Sequence, residues 1–212
     1  KGHVFTHDAK AFISGQDGLK ESVKFGIVGA TRHPQVDYSK VNYSKEPWAK
    51  NPTQCVNYVS CHDNHTLWDR LENSCPETSR EDKIAMHKLA NTIVLTSQGI
   101  PFLHAGVEML RHKNNVENSF ESPDSINQIQ WKWKSDNLDV VYYYQSLIAL
   151  RKNHPAFRMT KTEDVQNHIQ FLDLEGDNLI GYKIKGNAAK IKIEEIIATT
   201  PPNLSGTARK IA

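Results

Sequence analysis

Four consecutive side chains that can hydrogen-bond or titrate, His62-Asp63-Asn64-His65, are the main candidates for chemistry in this 212-residue sequence. An ionised Asp only accepts hydrogen bonds and can hold two adjacent hydroxyl groups. The four residues directly follow residues 55–61, a mostly apolar, β-branched and aromatic run that predicts a short strand buried on both faces of a parallel sheet. A buried strand that ends in a polar cluster is typical of α/β enzymes, whose catalytic groups lie at the carboxyl ends of strands.

A strand–helix–strand unit is predicted to position this cluster. Ser79 and Asp82 favour a helix start, and apolar residues then recur at a helical period from position 85 to position 94. Gly99 and Pro101 end the helix, and residues 100–104 predict the next short strand. Two parallel strands joined by a helix are the repeating unit of barrels and open α/β sheets.

The remaining periodic segments predict two more helices and a hairpin. Residues 17–28 predict a helix, and so does the apolar stripe that follows possible caps at residues 135–137 and ends at Pro155. Residues 168–174 and 179–185 predict two strands joined by a hairpin turn.

Residues 30–52 predict an ordered surface loop, since they carry three prolines and little period. Tyr43 and Trp48 could stack on sugar rings from this loop, but we favour packing of the loop onto the sheet as their role.

Composition excludes several classes of protein. The net charge is +2 with a pI of about 8.4 and no basic stripe, which argues against nucleic-acid binding. No apolar run approaches the roughly 20 residues that a membrane span needs. Cys55 and Cys61 lie too far apart along one strand to pair, so the three cysteines, with Cys75, are predicted to be free thiols packed as small hydrophobes. His3 and His7 lack further ligands, and no metal site is expected there.

Two stretches resemble a known family. VNYVSCHDNHTLWDRL closely resembles the fourth conserved region of the α-amylase superfamily (glycoside hydrolase family 13), in its bacterial type I pullulanase version. Residues 99–131, with the SPDSINQI stretch, look like the eighth strand and following loop of the same enzymes. The resemblance covers about residues 2–186.

The resemblance implies an α/β fold, the C-terminal segment of a (β/α)8 TIM barrel, with about strands 7 and 8 and their flanking helices. Residues 1–157 would form this part of the catalytic barrel, and residues 158–186 the start of a C-terminal antiparallel β domain. Residues 187–212 depart from the family pattern and show no hairpin repeat, which suggests a divergent or truncated tail.

Site residues are implied by the same resemblance. Asp63 takes the place of the carboxylate that stabilises the transition state, and His62 that of the histidine bound to the same glucose, with Asn64 beside them. Trp68 lines the cleft or packs against the following helix. Asp124 and Asn127 contact inner sugars or serve as turn and cap residues.

The implied chemistry is retaining hydrolysis of α-1,6-glucosidic branches in pullulan, starch or glycogen-like glucans. The nucleophile and the acid/base of the family match no motif in this chain, so it is expected to be inactive alone. One alternative is another specificity of the superfamily, isoamylase-like or for α-1,4 bonds. The other is a remnant that binds glucan without catalysis.

The expected partners are an α-glucan and the remainder of the barrel, with no nucleic acid, no membrane, no cofactor and no metal. His62, His65 and Asp69 have a spacing that could hold a metal, but the family offers no precedent for one. The sequence is compatible with a structural calcium in the parent enzymes and assigns no cell compartment. Glu108 is expected to be structural rather than catalytic.

Overall fold

The computed structural model describes residues 9–185 and the backbone of residues 194–199. These residues form a mixture of helices and short strands in two small sheets. The helices are α1 Lys20–Ile27, α2 Leu67–Ser74, α3 Arg80–Thr96, α4 Asp124–Asn127, α5 Lys132–Asp136, α6 Leu138–Asn153 and α7 Thr162–His168. The strands are β1 Val56–Asn57, β2 Ile100–Pro101, β3 Ile169–Phe171, β4 Leu179–Ile184 and β5 Glu194–Thr199.

The predicted strand–helix–strand unit is present, because β1 and β2 pair in parallel and α2 and α3 lie between them in the chain. The Ser79 hydroxyl accepts a hydrogen bond from the Asp82 amide at 3.1 Å, so the predicted start of α3 is confirmed. Gly99 has φ +97°, and a Cβ there would lie 2.8 Å from the Cys55 carbonyl oxygen. Only glycine therefore allows β2 to approach β1 this closely.

A buried arginine fixes the end of α3. The Arg151 guanidinium donates to the carbonyl oxygens of Leu95, Ser97 and Gly99 at 2.7–2.8 Å. These carbonyls have no partner within the helix, so the arginine both satisfies them and ties α6 to the segment that leads into β2. Burial lowers the pKa of the Arg151 side chain.

The two strands are shorter and more exposed than predicted. Of residues 55–61 only Val56 and Asn57 form a strand, and the prediction of burial on both faces is wrong: Val56 is 51% and Ile100 49% exposed. Tyr58 and Phe102, which follow the strands, form an edge-to-face pair and are also exposed. We call Val56, Tyr58, Ile100 and Phe102 the open face, since the described residues place no further strand beside β1 or β2.

The helices differ from the predictions in the start of α1, in the cap of α6 and in number. The helix predicted over residues 17–28 begins only at Lys20, after Gly18 with φ +76°. Asn137 directly precedes α6 at the end of the predicted cap stretch, but its side chain makes no capping bond, because its side-chain nitrogen donates to the carbonyl oxygens of Trp133 and Met109. The short helices α2, α4, α5 and α7 are not among the predicted helices.

The predicted hairpin is confirmed, with β3 and β4 antiparallel and Phe171 opposite Tyr182. Residues 194–199, inside the stretch expected to lack further strands, pair antiparallel with β4 as β5, so that expectation is wrong for these six residues. The rest of the tail, and the His3 and His7 pair, lie outside the described residues.

One apolar core runs from the first described residues to the hairpin. It joins Phe12, Ile27 and Met86 to Phe157 and Tyr182, so the segments on both sides of the predicted boundary at 157/158 share it. Cys55 and Cys75 are buried in it as free thiols, while Cys61 is half-buried. The predicted domain boundary stays a prediction.

The loop at residues 30–52 packs onto the core through small apolar side chains and through the partly buried ring of Tyr38. Val36, Val41 and Ala49 are buried, whereas Tyr43 is 86% and Trp48 58% exposed. The loop therefore packs onto the core, as the favoured prediction states, while the rings of Tyr43 and Trp48 are exposed, and sugar stacking stays a prediction for them.

Candidate functional site

The His62–Asp63 turn lies beyond the carboxyl end of β1, with both side chains turned to solvent. The His62 side chain is 86% and the Asp63 side chain 69% exposed, and His62 Nε2 lies 3.5 Å from Asp63 Oδ1. Asn64 has φ +58°, a left-handed conformation that asparagine tolerates better than most residues. The three predicted residues are thus brought together, and Asn64 closes the turn.

Behind this turn, α2 begins with a reciprocal cap. The Thr66 hydroxyl accepts a hydrogen bond from the Asp69 amide at 3.1 Å and donates one to Asp69 Oδ2 at 2.8 Å. Asp69 Oδ2 also accepts from the Lys113 amide at 2.8 Å, and Oδ1 from the Asn115 amide at 3.0 Å. This buried carboxylate therefore joins the start of α2 to the loop that follows β2.

Lys113 continues the connection towards Asp63. Its side chain is buried, and its ammonium group donates to the carbonyl oxygens of Glu117 at 2.9 Å and His62 at 3.4 Å. Burial lowers the pKa of this ammonium group, while the negative charges of Asp69 and Asp63 act in the opposite direction. We call Thr66, Asp69, Lys113 and Asn115 the loop clasp.

His65 lies on the inner side of the turn, not in the open site. Its ring is buried, and Nε2 lies 3.3 Å from the Asn115 carbonyl oxygen and 3.4 Å from Asn73 Nδ2. His62, by contrast, is exposed. Residues 9–185 contain no group of three or more histidine, cysteine or acidic side chains that could hold a metal ion.

Trp68 is not available to a ligand, which corrects its prediction as a substrate-binding residue. It is only 9% exposed and packs in a second core cluster with Val107, Leu110, Val140 and Tyr144. The Arg80 guanidinium lies 5.4 Å from its ring centroid. Helix α2 turns this side chain towards α3 and α6, so the packing alternative describes its place.

The loop at residues 119–127 is held by the Asn127 amide group. Asn127 Nδ2 donates to the carbonyl oxygens of Ser119 and Ser122, and Oδ1 accepts from the Ser119 hydroxyl at 2.8 Å. Both amide protons are therefore used within the loop, which supports the turn role. Asp124 is exposed at the start of α4 and makes no side-chain cap. Substrate contact stays a prediction for both residues.

Arg111 connects this loop to the segment after β2. Its guanidinium donates to the carbonyl oxygens of Asn127 at 2.6 Å and Ala105 at 3.0 Å and lies 3.3 Å from His104 Nε2. Burial lowers the pKa of Arg111. Glu108 lies in a half-buried 3₁₀ turn.

Sequence reasoning missed Arg111 and Lys113, although both lie inside the stretch that carried the resemblance. Lys113 reaches the carbonyl oxygen of His62 and Arg111 that of Asn127, and no spacing rule predicts such contacts between separate segments. The sequence did offer one sign: the Asn114-Asn115 pair adopts positive φ at both positions, as asparagines in tight turns do.

Known proteins similar to this chain include several pullulanases. The pullulanase of Bacillus subtilis (strain 168) is 38% identical over 184 residues, which cover 87% of this chain and 24% of that protein. The crystal structure of the Paenibacillus barengoltzii pullulanase with maltohexaose and α-cyclodextrin is 45% identical, with a TM-score of 0.79 over 87% of this chain and 27% of that one. The chain is a homologue of the pullulanases.

A second solved structure agrees with this relationship. The type I pullulanase of B. subtilis str. 168 in complex with maltose has a TM-score of 0.84 at 36% identity, over 93% of this chain and 26% of that one. No protein-family model matches the chain. The chain spans about a quarter of the length of these pullulanases. No described helix is long and apolar enough to cross a membrane.

Proposed function

We propose that this chain forms the part of a pullulanase-type debranching hydrolase that carries Asp63, the carboxylate that stabilises the transition state. The reaction is retaining hydrolysis of α-1,6-glucosidic branches in pullulan, starch or glycogen-like glucans. In this proposal β1 and β2 are the seventh and eighth strands of a (β/α)8 barrel, and the other strands of the barrel cover the open face.

The observation that carries the proposal is the exposed His62–Asp63 pair at the carboxyl end of a parallel strand. Active sites of α/β barrels are built at this end from the loops that follow the strands. The loops after β1 and β2 meet here, because Lys113 from the second reaches the carbonyl oxygen of His62 in the first. The loop that carries Asp63 is therefore held against the loop after β2.

Asp63 suits the proposed role by its chemistry and its exposure. An ionised carboxylate accepts hydrogen bonds with both oxygens and can hold two neighbouring sugar hydroxyls. Such bonds strengthen as the ring distorts towards an oxocarbenium-like transition state, so they lower the barrier rather than only binding substrate. His62, at 3.5 Å from Asp63, is placed to contact the same sugar.

The chain alone is proposed to be inert. Retaining hydrolysis requires a carboxylate nucleophile and a carboxylic acid that protonates the leaving group. No acidic residue of this chain other than Asp63 lies in a motif that matches a catalytic carboxylate of the family. A stabilising carboxylate without these two groups does not cleave an acetal.

A non-catalytic glucan-binding role is the second candidate. The exposed rings of Tyr43 and Trp48 favour it, because an aromatic face can stack on the apolar face of a glucose unit. In that case the chain binds glucan without any hydrolysis.

A chimera separates the two candidates. Residues 9–185 replace the corresponding segment of the B. subtilis pullulanase, and release of reducing ends is measured with pullulan and with linear amylose. We expect cleavage of pullulan and little cleavage of amylose, while the 212-residue chain alone cleaves neither. A folded chimera that binds pullulan but releases no reducing ends would contradict the hydrolytic proposal and favour glucan binding.

A further inference from the structure

Lys113 is an unusual buried cation. It is 2% exposed, and the two hydrogen bonds of its ammonium group go to backbone carbonyl oxygens of His62 and Glu117 rather than to a carboxylate. Burying an ammonium group is costly unless it is paired or hydrogen-bonded. A lysine in this place needs a reason other than packing, since an apolar side chain would fill the same volume without that cost.

Its three anchors belong to different parts of the chain. The Lys113 amide is bound by Asp69 of α2, and the ammonium group reaches forward to Glu117 in its own loop and across to His62 in the loop after β1. Two strand-end loops and a helix start are therefore joined through one residue. His62 is the residue directly before Asp63.

Three charged side chains near Lys113 act on its ammonium group. Asp69 and Asp63 are the two carboxylates whose charges act on the Lys113 ammonium group, and Arg111 is the nearby cation that opposes them. Lys113 is thus bonded through its amide to the buried carboxylate of Asp69 and through its ammonium group to the carbonyl oxygen of His62, the residue before Asp63.

We propose that Lys113 is a positioning residue for Asp63. By holding the His62 carbonyl oxygen from behind, it fixes the His62–Asp63 turn against the loop after β2 and so sets where the Asp63 carboxylate meets a sugar. The catalytic consequence rests on the proposed function, whereas the positioning itself is a property of this chain alone.

Amide hydrogen exchange on the 212-residue chain tests the positioning without any activity. Lys113→Met keeps a similar volume and removes the ammonium group, and we expect faster exchange over residues 61–66 and 112–118 with unchanged exchange in α3. Lys83→Met is the matched control, because Lys83 is also buried but bonds Glu72 at 2.9 Å. If Lys113→Met leaves the exchange of residues 61–66 unchanged, or if Lys83→Met speeds it equally, the positioning proposal is wrong.

Kinetics in the chimera with the B. subtilis pullulanase test the catalytic consequence. We expect Lys113→Met to lower kcat on pullulan by about 10- to 100-fold, because a displacement of about 1 Å can cost that much, with KM changed less than about threefold. Lys113→Arg should restore part of kcat, since a guanidinium can donate to the same carbonyl oxygens.

The outcomes separate this inference from the proposed function. An inactive but folded chimera overturns the proposed function, while hydrogen exchange at residues 61–66, followed in the same chimera, still decides the positioning. An active chimera in which Lys113→Met raises KM and leaves kcat unchanged would overturn the catalytic part of the inference. A loss of kcat that Lys83→Met reproduces would mean a merely structural role.

Discussion

The open face and the loop clasp are built in opposite ways. On the open face the apolar side chains of Val56, Ile100 and Phe102 are about half exposed, although they lie in strands or directly after one. In the loop clasp the polar side chains of Asp69 and Lys113 are buried, although they lie in or beside loops.

The difference teaches which part of the site this chain can form by its own contacts. Every hydrogen bond of the clasp described above comes from within residues 62–117, so the turn that carries Asp63 is held by partners in this chain. The open face has no such partners among the described residues. Exposed apolar strands favour association with another polypeptide, which in the proposed function is the rest of the barrel.

The largest expected effect on stability is in the clasp. Asp69→Ala should lower the free energy of unfolding by about 3 kcal/mol, because it leaves the buried amide of Lys113 and the Thr66 hydroxyl without their acceptor. Thermal or urea unfolding of the chain measures the change. Asp136→Ala, which removes an exposed carboxylate 2.7 Å from Lys132, should cost less than about 1 kcal/mol. Equal losses in the two variants would contradict the account of the clasp.

His87 is a buried polar side chain with an incomplete set of hydrogen-bond partners. His87 lies between Trp68 and Tyr144 in the second core cluster, with Nδ1 3.1 Å from the Tyr144 hydroxyl and no partner for Nε2. Burial lowers the pKa of His87 from 6.5 to about 3, and the charge of Lys88 adds to this.

The lowered pKa of His87 makes the stability of the chain fall as the pH is lowered. Between pH 6.5 and 3 the unfolded chain binds a proton at His87 that the folded chain does not, so stability is full above pH 6.5 and falls as the pH is lowered. The slope for this group is about 1.4 kcal/mol per pH unit below pH 6. His87→Leu should remove this slope from unfolding curves measured between pH 7 and 5, while His62→Ala, at an exposed ring, should keep it. A slope unchanged in His87→Leu would contradict the assignment.

The smallest expected effect is on the open face. Ile100→Thr should change the free energy of unfolding of the chain by less than about 0.5 kcal/mol, because its side chain is half exposed. Ile180→Thr, at a fully buried position of the main core, should cost about 2 kcal/mol.

Association of the chain tests the open face directly. We expect the chain to self-associate in sedimentation velocity and Ile100→Thr to reduce this, since exposed apolar strands favour association. A monomeric chain with one sharp melting transition would contradict the prediction that the open face causes association.

The sequence predicted the features that depend on local pattern. The start of α3 at Ser79, the parallel pairing of two strands and the β3–β4 hairpin were all read from caps, periods and turn residues. The exposed pair of His62 and Asp63 was found because polar residues end an apolar run.

Features set by tertiary contacts were beyond such reading. Trp68 carries no local sign of whether it faces a ligand or α3, and only the packing of helices decides it. The exposure of Val56 and Tyr58 depends on which strands stand beside β1, which their own side chains do not specify. Lys113 was missed because its partners lie at positions 62, 69 and 117.

The most direct test of the central claim is the effect of Asp63→Asn on turnover and binding in the chimera with the B. subtilis pullulanase. The account predicts that kcat on pullulan falls by about 1,000-fold or more, because an amide replaces the charged acceptor, while the Kd for a maltooligosaccharide changes less than about tenfold. Asp136→Asn, at an exposed acid of α5, should retain full activity. An Asp63→Asn chimera that keeps more than about a tenth of wild-type kcat would contradict the assignment of Asp63.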